Sequence, residues 1–359
     1  MFGCITDYEH KGIQSIEDIF VVEGTITNDT TLIKLSKTVG IENYFMGDEY
    51  ITNAMVSVEN DKGNSFAGIH VSKGEYLIEN GDLQEGTPYR LRIAWEGEEY
   101  VSTYLTPVFT PEIDSISVLK KEKGAPVEIC VSTHEPHNQS RYFRWKYKEH
   151  WEVHASLMAT VGYERIDGKE EFVTYDLFSS NNKYYCWGVD SSKVLILDSS
   201  EKLSENRIAQ KRIIEMEPSD DRLSELYYIK ISQEMLRKEA FDYFFNLQKN
   251  MDGTGGLFSQ MPSEMKGNIT CTTNPEKTVI GYIEVATTTT MERYISSAEV
   301  YERPYDYCFN ASTEDPNSGL VLYQQDLSGT FYAPNACIDC RTKSKASKNK
   351  PDFWPTNKL

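Results

Sequence analysis

Ser232-Gln-Glu-Met-Leu-Arg-Lys-Glu-Ala-Phe-Asp-Tyr-Phe-Phe-Asn-Leu-Gln-Lys-Asn250 is the one stretch of this chain with the pattern of an amphipathic helix. Met235, Leu236, Ala240, Tyr243, Phe244 and Leu247 recur every three to four residues. That spacing sets them on one face, with charge opposite, and Ser232 is a residue type that caps an N-terminus. The pattern predicts a helix over 232–250. Asp252-Gly-Thr-Gly-Gly256 then ends it, because Gly tolerates the positive φ of a helix stop, and Lys266-Gly-Asn-Ile269 leads back to strand.

Outward from the helix, the rest of the chain reads as short strands. On the N-terminal side lie Phe20–Ile26, Thr31–Leu35, Ala54–Val58, Gly74–Ile78, Tyr89–Ile93 and Glu99–Tyr104, broken by turns such as Asn60-Asp-Lys-Gly63. Such spacing predicts a mainly β protein that opens with an immunoglobulin-like or transthyretin-like antiparallel β-sandwich over residues 18–108, preceded by a polar tether at 1–17. Pro107 and Pro111 bracket a boundary, since proline stiffens linkers and breaks ladders. Strands at Ile113–Leu119, Val127–Val131, Tyr142–Tyr147, Glu171–Tyr175, Lys193–Leu197, Leu226–Ile231, Val279–Val285 and Glu292–Ile295 assign 109–340 to a larger β-rich domain with one principal α-helix.

The 359 residues carry a formal charge of -18 and a pI near 4.9, a surface that repels phosphate backbones, so no nucleic-acid partner is expected. The tail 341–359 reverses the sign, with six Lys or Arg against the single acid Asp352. It reads as a solvated basic terminus or a dock for an acidic surface. No window reaches the ~20 apolar residues of a membrane span. Met-Phe-Gly-Cys4 looks like the trimmed end of a bacterial lipoprotein signal, with Cys4 as the acylated residue and the lipid as the only membrane contact.

Six further cysteines remain: Cys130, Cys186, Cys271, Cys308, Cys337 and Cys340. An even number suits an oxidising compartment and predicts that all six are bridged, with the connectivity open. Cys337 and Cys340 form a C-x-x-C that lacks both a second pair for zinc and the strand-to-helix setting of a redox motif.

Four histidines, His134, His137, His150 and His154, fall close together and are the best metal candidates. However, His150-Trp-Glu-Val-His154 lacks the glutamate of a metalloprotease motif, and packing or surface roles are the expectation. No nucleophile, base and orienting group can be assembled, so neither an enzyme nor a cofactor is expected. Recognition is placed instead on Gly-rich loops and aromatics: Asp252 to Phe258, Lys266 to Asn268, and Tyr301 to Phe309. Arg303 and Tyr305 serve there as anchors, with Tyr307, Asp252 and Asn268 beside them.

Phe20-Val-Val-Glu-Gly-Thr-Ile-Thr27, Ala54-Met-Val-Ser-Val58, Tyr89-Arg-Leu-Arg-Ile93, Tyr142-Phe-Arg-Trp145, Gly267-Asn-Ile269, Gly281-Tyr-Ile283 and the ending Cys337-Ile-Asp-Cys-Arg341 with Lys350-Pro-Asp-Phe-Trp354 resemble the Bacteroidota lipoproteins grouped as domain-of-unknown-function family 4249. The resemblance implies a lipid-anchored outer-membrane protein exposed at the cell surface and often encoded beside a TonB-dependent transporter, and it supplies no catalytic residues. The function expected from it is a binding protein that assists such a transporter in nutrient uptake with a ligand still to be named. A surface adhesin or host-interaction protein is the alternative.

Overall fold

The computed structural model describes residues 19–38, 49–137, 139–176, 181–251, 267–302, 308 and 319–355. The chain is mainly β. It begins with β1 (Phe20–Ile26), β2 (Asp29–Lys37), the two-residue β3 (Glu49–Tyr50), β4 (Met55–Asn60), β5 (Ser65–Ser72), β6 (Glu75–Gly81), β7 (Tyr89–Trp95) and β8 (Glu98–Ser102). These make two antiparallel layers, β1–β2–β6 and β8–β7–β4, joined by β5. Ser65 to Ala67 pair with β4, and from Gly68 onward the same strand pairs with β6. A strand that switches layers makes the corner of a sandwich. Gly68 sits at the switch because a Cβ there would lie 2.8 Å from Ile78 and 3.2 Å from the Val56 carbonyl. Alternation supplies the core: Thr31, Ile33 and Leu35 from β2 meet Tyr89, Leu91 and Ile93 from β7, with Phe20, Val22, Ile78 and Tyr100 filling between. Each buried apolar side chain of this kind stabilises by about 1.5–3 kcal/mol.

A second sandwich follows. Its strands are β9 (Ile113–Leu119), β10 (Val127–His134), β11 (Tyr142–His154), β14 (Tyr185–Ser191), β15 (Ile196–Ser199), β16 (Arg207–Met216) and β17 (Leu226–Leu236). Between β11 and β14 the hairpin β12 (Val161–Ile166) and β13 (Lys169–Thr174) turns at Asp167-Gly168, both at positive φ as a tight hairpin turn requires. The three-stranded sheet β16–β10–β9 and the sheet built on β17–β11–β14 share one core, in which Ile129, Val131, Phe143, Trp145, Tyr227, Ile229 and Ile231 are buried. β11 is long enough to take two partners on one side, β15 along Tyr142–Trp145 and β14 along Lys148–His154.

The helix is shorter than its sequence pattern. β17 stays extended through Leu236 because it is laddered on one side to β11, Leu236 opposite Tyr142, and on the other to β21 (Thr288–Ser296), Glu234 opposite Thr288. The helix α1 spans Lys238–Met251. Ser232 is therefore a strand residue and caps nothing. Met235 and Leu236 matched the helical face by coincidence: the sheet is covered on both sides there, so Met235 enters the sandwich core and Leu236 packs under the helix. A strand buried on both faces carries no period of two to distinguish it. Ala240, Tyr243, Phe244 and Leu247 do form the packing face of α1, against Tyr142, Leu197 and Tyr282.

Three short strands after the helix return to the first sandwich, which residues 18–108 do not complete alone. β18 (Ile269–Cys271) runs antiparallel along β8, while β19 (Val279–Ile280) and β20 (Glu284–Val285) lie parallel to β1. Gly281 joins the last two at φ +151, with a Cβ position only 2.3 Å from the Val22 carbonyl, so a side chain there would push the returning segment off β1. Beyond β21, α2 (Ser297–Val300) opens with a capping box. The hairpin β22 (Val321–Asp326) and β23 (Gly329–Ala333), α3 (Asn335–Ile338) and β24 (Ala346–Ser347) follow, with β24 on the edge of β14.

Two disulfides hold this last part, Cys186 to Cys340 and Cys308 to Cys337. The expectation of six bridged cysteines is corrected: Cys130 and Cys271 are free and buried. Cys130 lies on β10 of the second sandwich and Cys271 on β18 of the first, so no bridge can form between them. Nor is the C-x-x-C a pair, since each of its cysteines bonds a different distant partner. The described part of the basic tail packs on the chain itself, with Lys343 on Asp221, Lys345 on Asp190 and Lys348 on the Tyr185 carbonyl, while the Trp354 ring is buried.

Candidate functional site

Where β1 of the first sandwich, β11 of the second and α1 come together, a cleft of about 380 Å³ opens. One wall is β1 from Val21 to Gly24 with Ile280 and Tyr282 of the returning segment. Another is β11 at Arg144 to Lys146, a third is the 192–195 turn, and Tyr243, Phe244 and Leu247 of α1 close the base. Each wall comes from a different part of the chain, so neither sandwich holds the site alone.

Alternation along β11 sets the chemistry. Phe143 points into the second core, while Arg144 and Lys146, two residues apart, share the opposite face, towards β1 and α1. Arg144 is 4% exposed, and its guanidinium donates through Nε to Glu234 Oε2 at 2.9 Å and through Nη2 to Thr25 Oγ1 at 2.5 Å. Thr25 Oγ1 donates in turn to Glu234 Oε2 at 3.2 Å. The Phe244 ring lies 4.3 Å from the guanidinium carbon. Burial alone would raise the Glu234 pKa, but Arg144 and Lys146 outweigh it and hold the carboxylate down at about 2. This knot joins β1, β11 and β17, and so the two sandwiches. Beside it Arg237, the residue before α1, forms an ion pair with the fully buried Glu284 of β20, whose Oε2 accepts the Arg237 backbone N–H at 2.9 Å.

Lys146 is placed differently. Its Nζ is 3.9 Å from Glu234 Oε1, and its side chain is 56% exposed towards the cleft. Glu234 raises its affinity for a proton, but crowding by protein atoms and the Arg144 charge together lower it.

Of the residues expected to bind, Cys4, Asp252, Arg303, Tyr305 and Tyr307 lie outside the described residues. Asn268 is described, and its amide is used internally. Nδ2 donates to the Ile283 carbonyl at 2.8 Å and to Thr103 Oγ1 at 3.2 Å, and Oδ1 accepts from the Ile283 N–H at 2.8 Å. It clamps the returning segment to β8 and presents no free polar edge to a ligand.

The four histidines do not converge. His134 Nδ1 meets Asp114 Oδ1 at 2.7 Å in an open depression near Glu135, whose carboxylate accepts the backbone N–H groups of His137 and Gln139. His150 packs edge-on against Phe353 and beside Tyr228, and burial lowers its pKa. His154 is held between two carboxylates, Nε2 to Glu152 Oε1 at 2.6 Å and Nδ1 to Glu225 Oε1 at 2.9 Å. Among the described residues no group of three or more His, Cys, Asp or Glu is placed to hold a metal.

The cleft leaves little trace in the sequence because its walls run from Val21 to Tyr282, far apart along the chain. The one local signal was the alternation of aromatic and basic residues in Tyr142-Phe-Arg-Trp-Lys-Tyr147, where a cation every second position marks a polar stripe on a strand with a buried opposite face. Residues 5–292 match the family model described as a domain of unknown function, DUF4249; the match ends before Cys337-Ile-Asp-Cys-Arg341. No curated protein matches the chain.

Proposed function

The chain belongs to the DUF4249 family, and from that footing we propose that it is a non-enzymatic binding protein, lipid-anchored through Cys4 at the outer-membrane surface of a member of the Bacteroidota, that serves a TonB-dependent transporter. The observation that carries the binding role is the cleft at the junction. It is mostly apolar with a few placed charges and sits where two folded units meet, the common setting of a small-molecule site. The anchor and the transporter come from the family resemblance of the sequence.

The test is affinity purification of the tagged, full-length protein from detergent-solubilised outer membranes, together with growth of a deletion strain on limiting nutrients. Retention of a TonB-dependent transporter and a lost uptake phenotype are expected, and Cys4→Ala should release the protein from the membrane fraction. An intact uptake phenotype with no transporter retained would sink this reading. The adhesin alternative has one observation in its favour: the β12–β13 hairpin exposes a cross-strand ring pair, Tyr163 and Phe172, with centroids 5.7 Å apart. Loss of surface attachment in the deletion strain, without an uptake defect, would select it.

A further inference from the structure

The charges around the junction cleft do not cancel. Arg144, Lys146 and Lys193 line it on the positive side, against Glu23 in the wall and Glu234 behind it, which leaves one cation in excess. The outer partners do not remove the excess: Lys34 lies 3.9 Å from Glu23, and Asp190, 3.9 Å from Lys193, is already paired with Lys345. Arg144 takes the Glu234 oxygen Oε2, so Lys146 is left with one contact at 3.9 Å, longer than a hydrogen bond. In a chain of net charge -18, a cleft with a surplus ammonium is a local reversal of sign.

The remaining surface is apolar: Val21, Val194, Phe244, Leu247, Ile280 and Tyr282 face the cavity, and Val194 is 64% exposed at its mouth. We propose that the cleft takes an amphipathic organic anion, an apolar ring or chain against these side chains with its acidic group on the Lys146 ammonium. The assignment deepens the binding-protein reading and rests on it. A cationic ligand would meet Lys146 and Lys193, a neutral apolar one would use the apolar walls but gain nothing from the Lys146 charge, and a highly charged polyanion would have to desolvate against Phe244 and Leu247. An acid with an apolar body meets both halves of the site. Lys146 also keeps its proton less firmly than a free lysine, which is the state a bound anion would reverse.

The experiment is a fluorescence titration of the full chain with two probes, the anion 8-anilinonaphthalene-1-sulfonate and its uncharged counterpart N-phenyl-1-naphthylamine. Lys146→Met keeps the length and apolarity of the stem and removes the charge, and Lys146→Arg restores it. Wild type is expected to bind both probes. Lys146→Met should weaken the anionic probe about 10- to 100-fold, as expected for loss of a charged contact, and leave the neutral one within about twofold. Lys146→Arg should recover most of the anion affinity. Unfolding midpoints within a few degrees of each other would show that both variants fold, as the exposure of Lys146 implies. Equal anion affinity in wild type and Lys146→Met, with both probes bound, overturns the anion assignment and leaves the cleft as a binding site for uncharged molecules. Binding of neither probe overturns the cleft itself, while transporter retention in the membrane purification decides the wider role separately.

Discussion

Arg144 with Glu234 at the junction, and His154 with Glu152 and Glu225 under the C-terminal segment, are two buried ionic knots made of similar parts, and they answer to different variables. In the first, the cation is a guanidinium, and it holds the carboxylate down at about 2, well below neutral pH. It ties one sandwich to the other at any ordinary pH. In the second, burial would lower the pKa of His154, but hydrogen bonds to Glu152 and Glu225 raise it. Glu152 also accepts the Trp354 indole N–H at 2.9 Å, so the carboxylate that fastens the tail is the one that bonds His154. The lesson is that a guanidinium and an imidazole, each set among carboxylates in one fold, make one contact insensitive to pH near neutrality and the other conditional on it.

The most severe way to break the comparison is Arg144→Met, which leaves Glu234 buried beside only the distant Lys146. Such a change costs about 3–5 kcal/mol, to be read by urea denaturation. A loss below about 1 kcal/mol would show that Lys146 takes over the charge and that the knot is not what couples the sandwiches. Next in size is removal of the Cys186–Cys340 bridge by paired alanines. It closes a separation of 154 residues against 29 for Cys308–Cys337. We expect a loss of about 2–4 kcal/mol, larger than that for the second bridge because the longer loop restricts the unfolded chain more. Equal losses for the two bridges would count against that account.

A smaller effect sharpens the contrast by pH. His154 has a folded pKa raised above its unfolded value near 6.5, so its contribution is fully present below that pH and is lost as pH rises through the folded value. Stability should decline across that window, with a change in Trp354 emission, and His154→Gln should flatten the decline. A slope unchanged in the variant would assign it to other groups. The smallest effect belongs to Cys130 and Cys271, the unbridged thiols among the described residues. Alkylation of the unfolded, unreduced protein should label Cys130 and Cys271 and spare Cys186, Cys308, Cys337 and Cys340, and Cys130→Ala should cost about 1 kcal/mol of apolar burial. Labels on Cys337 or Cys340 would contradict the bridges described.

Part of this fold was legible in the residues and part was not. The alternation in Tyr89-Arg-Leu-Arg-Ile93 and in Thr31–Leu35 places those strands, since one face is wet and the other dry. β16, Arg207–Met216, was missed because its pattern is broken by register shifts against β10. The candidate site was hardly legible: the Gly beside Asn268 marks a loop but not the clamp its amide makes, and the alternation in Tyr142–Tyr147 places Arg144 and Lys146 on one face without linking them to Glu234.

By itself the sequence determined the β class, the strands with one dry face and the existence of a helix through Ala240, Tyr243, Phe244 and Leu247, because these follow from the local period of apolar residues. Only the tertiary structure decided where that helix starts, that residues 269–285 complete the first sandwich, which cysteines meet and that a cleft with an excess positive charge lies between the two units. The reason is physical. Backbone groups of β17 and β18–β20 are satisfied by partners far along the chain, a disulfide needs Cα atoms about 5.7 Å apart, and a cleft exists only where separate surfaces are brought together.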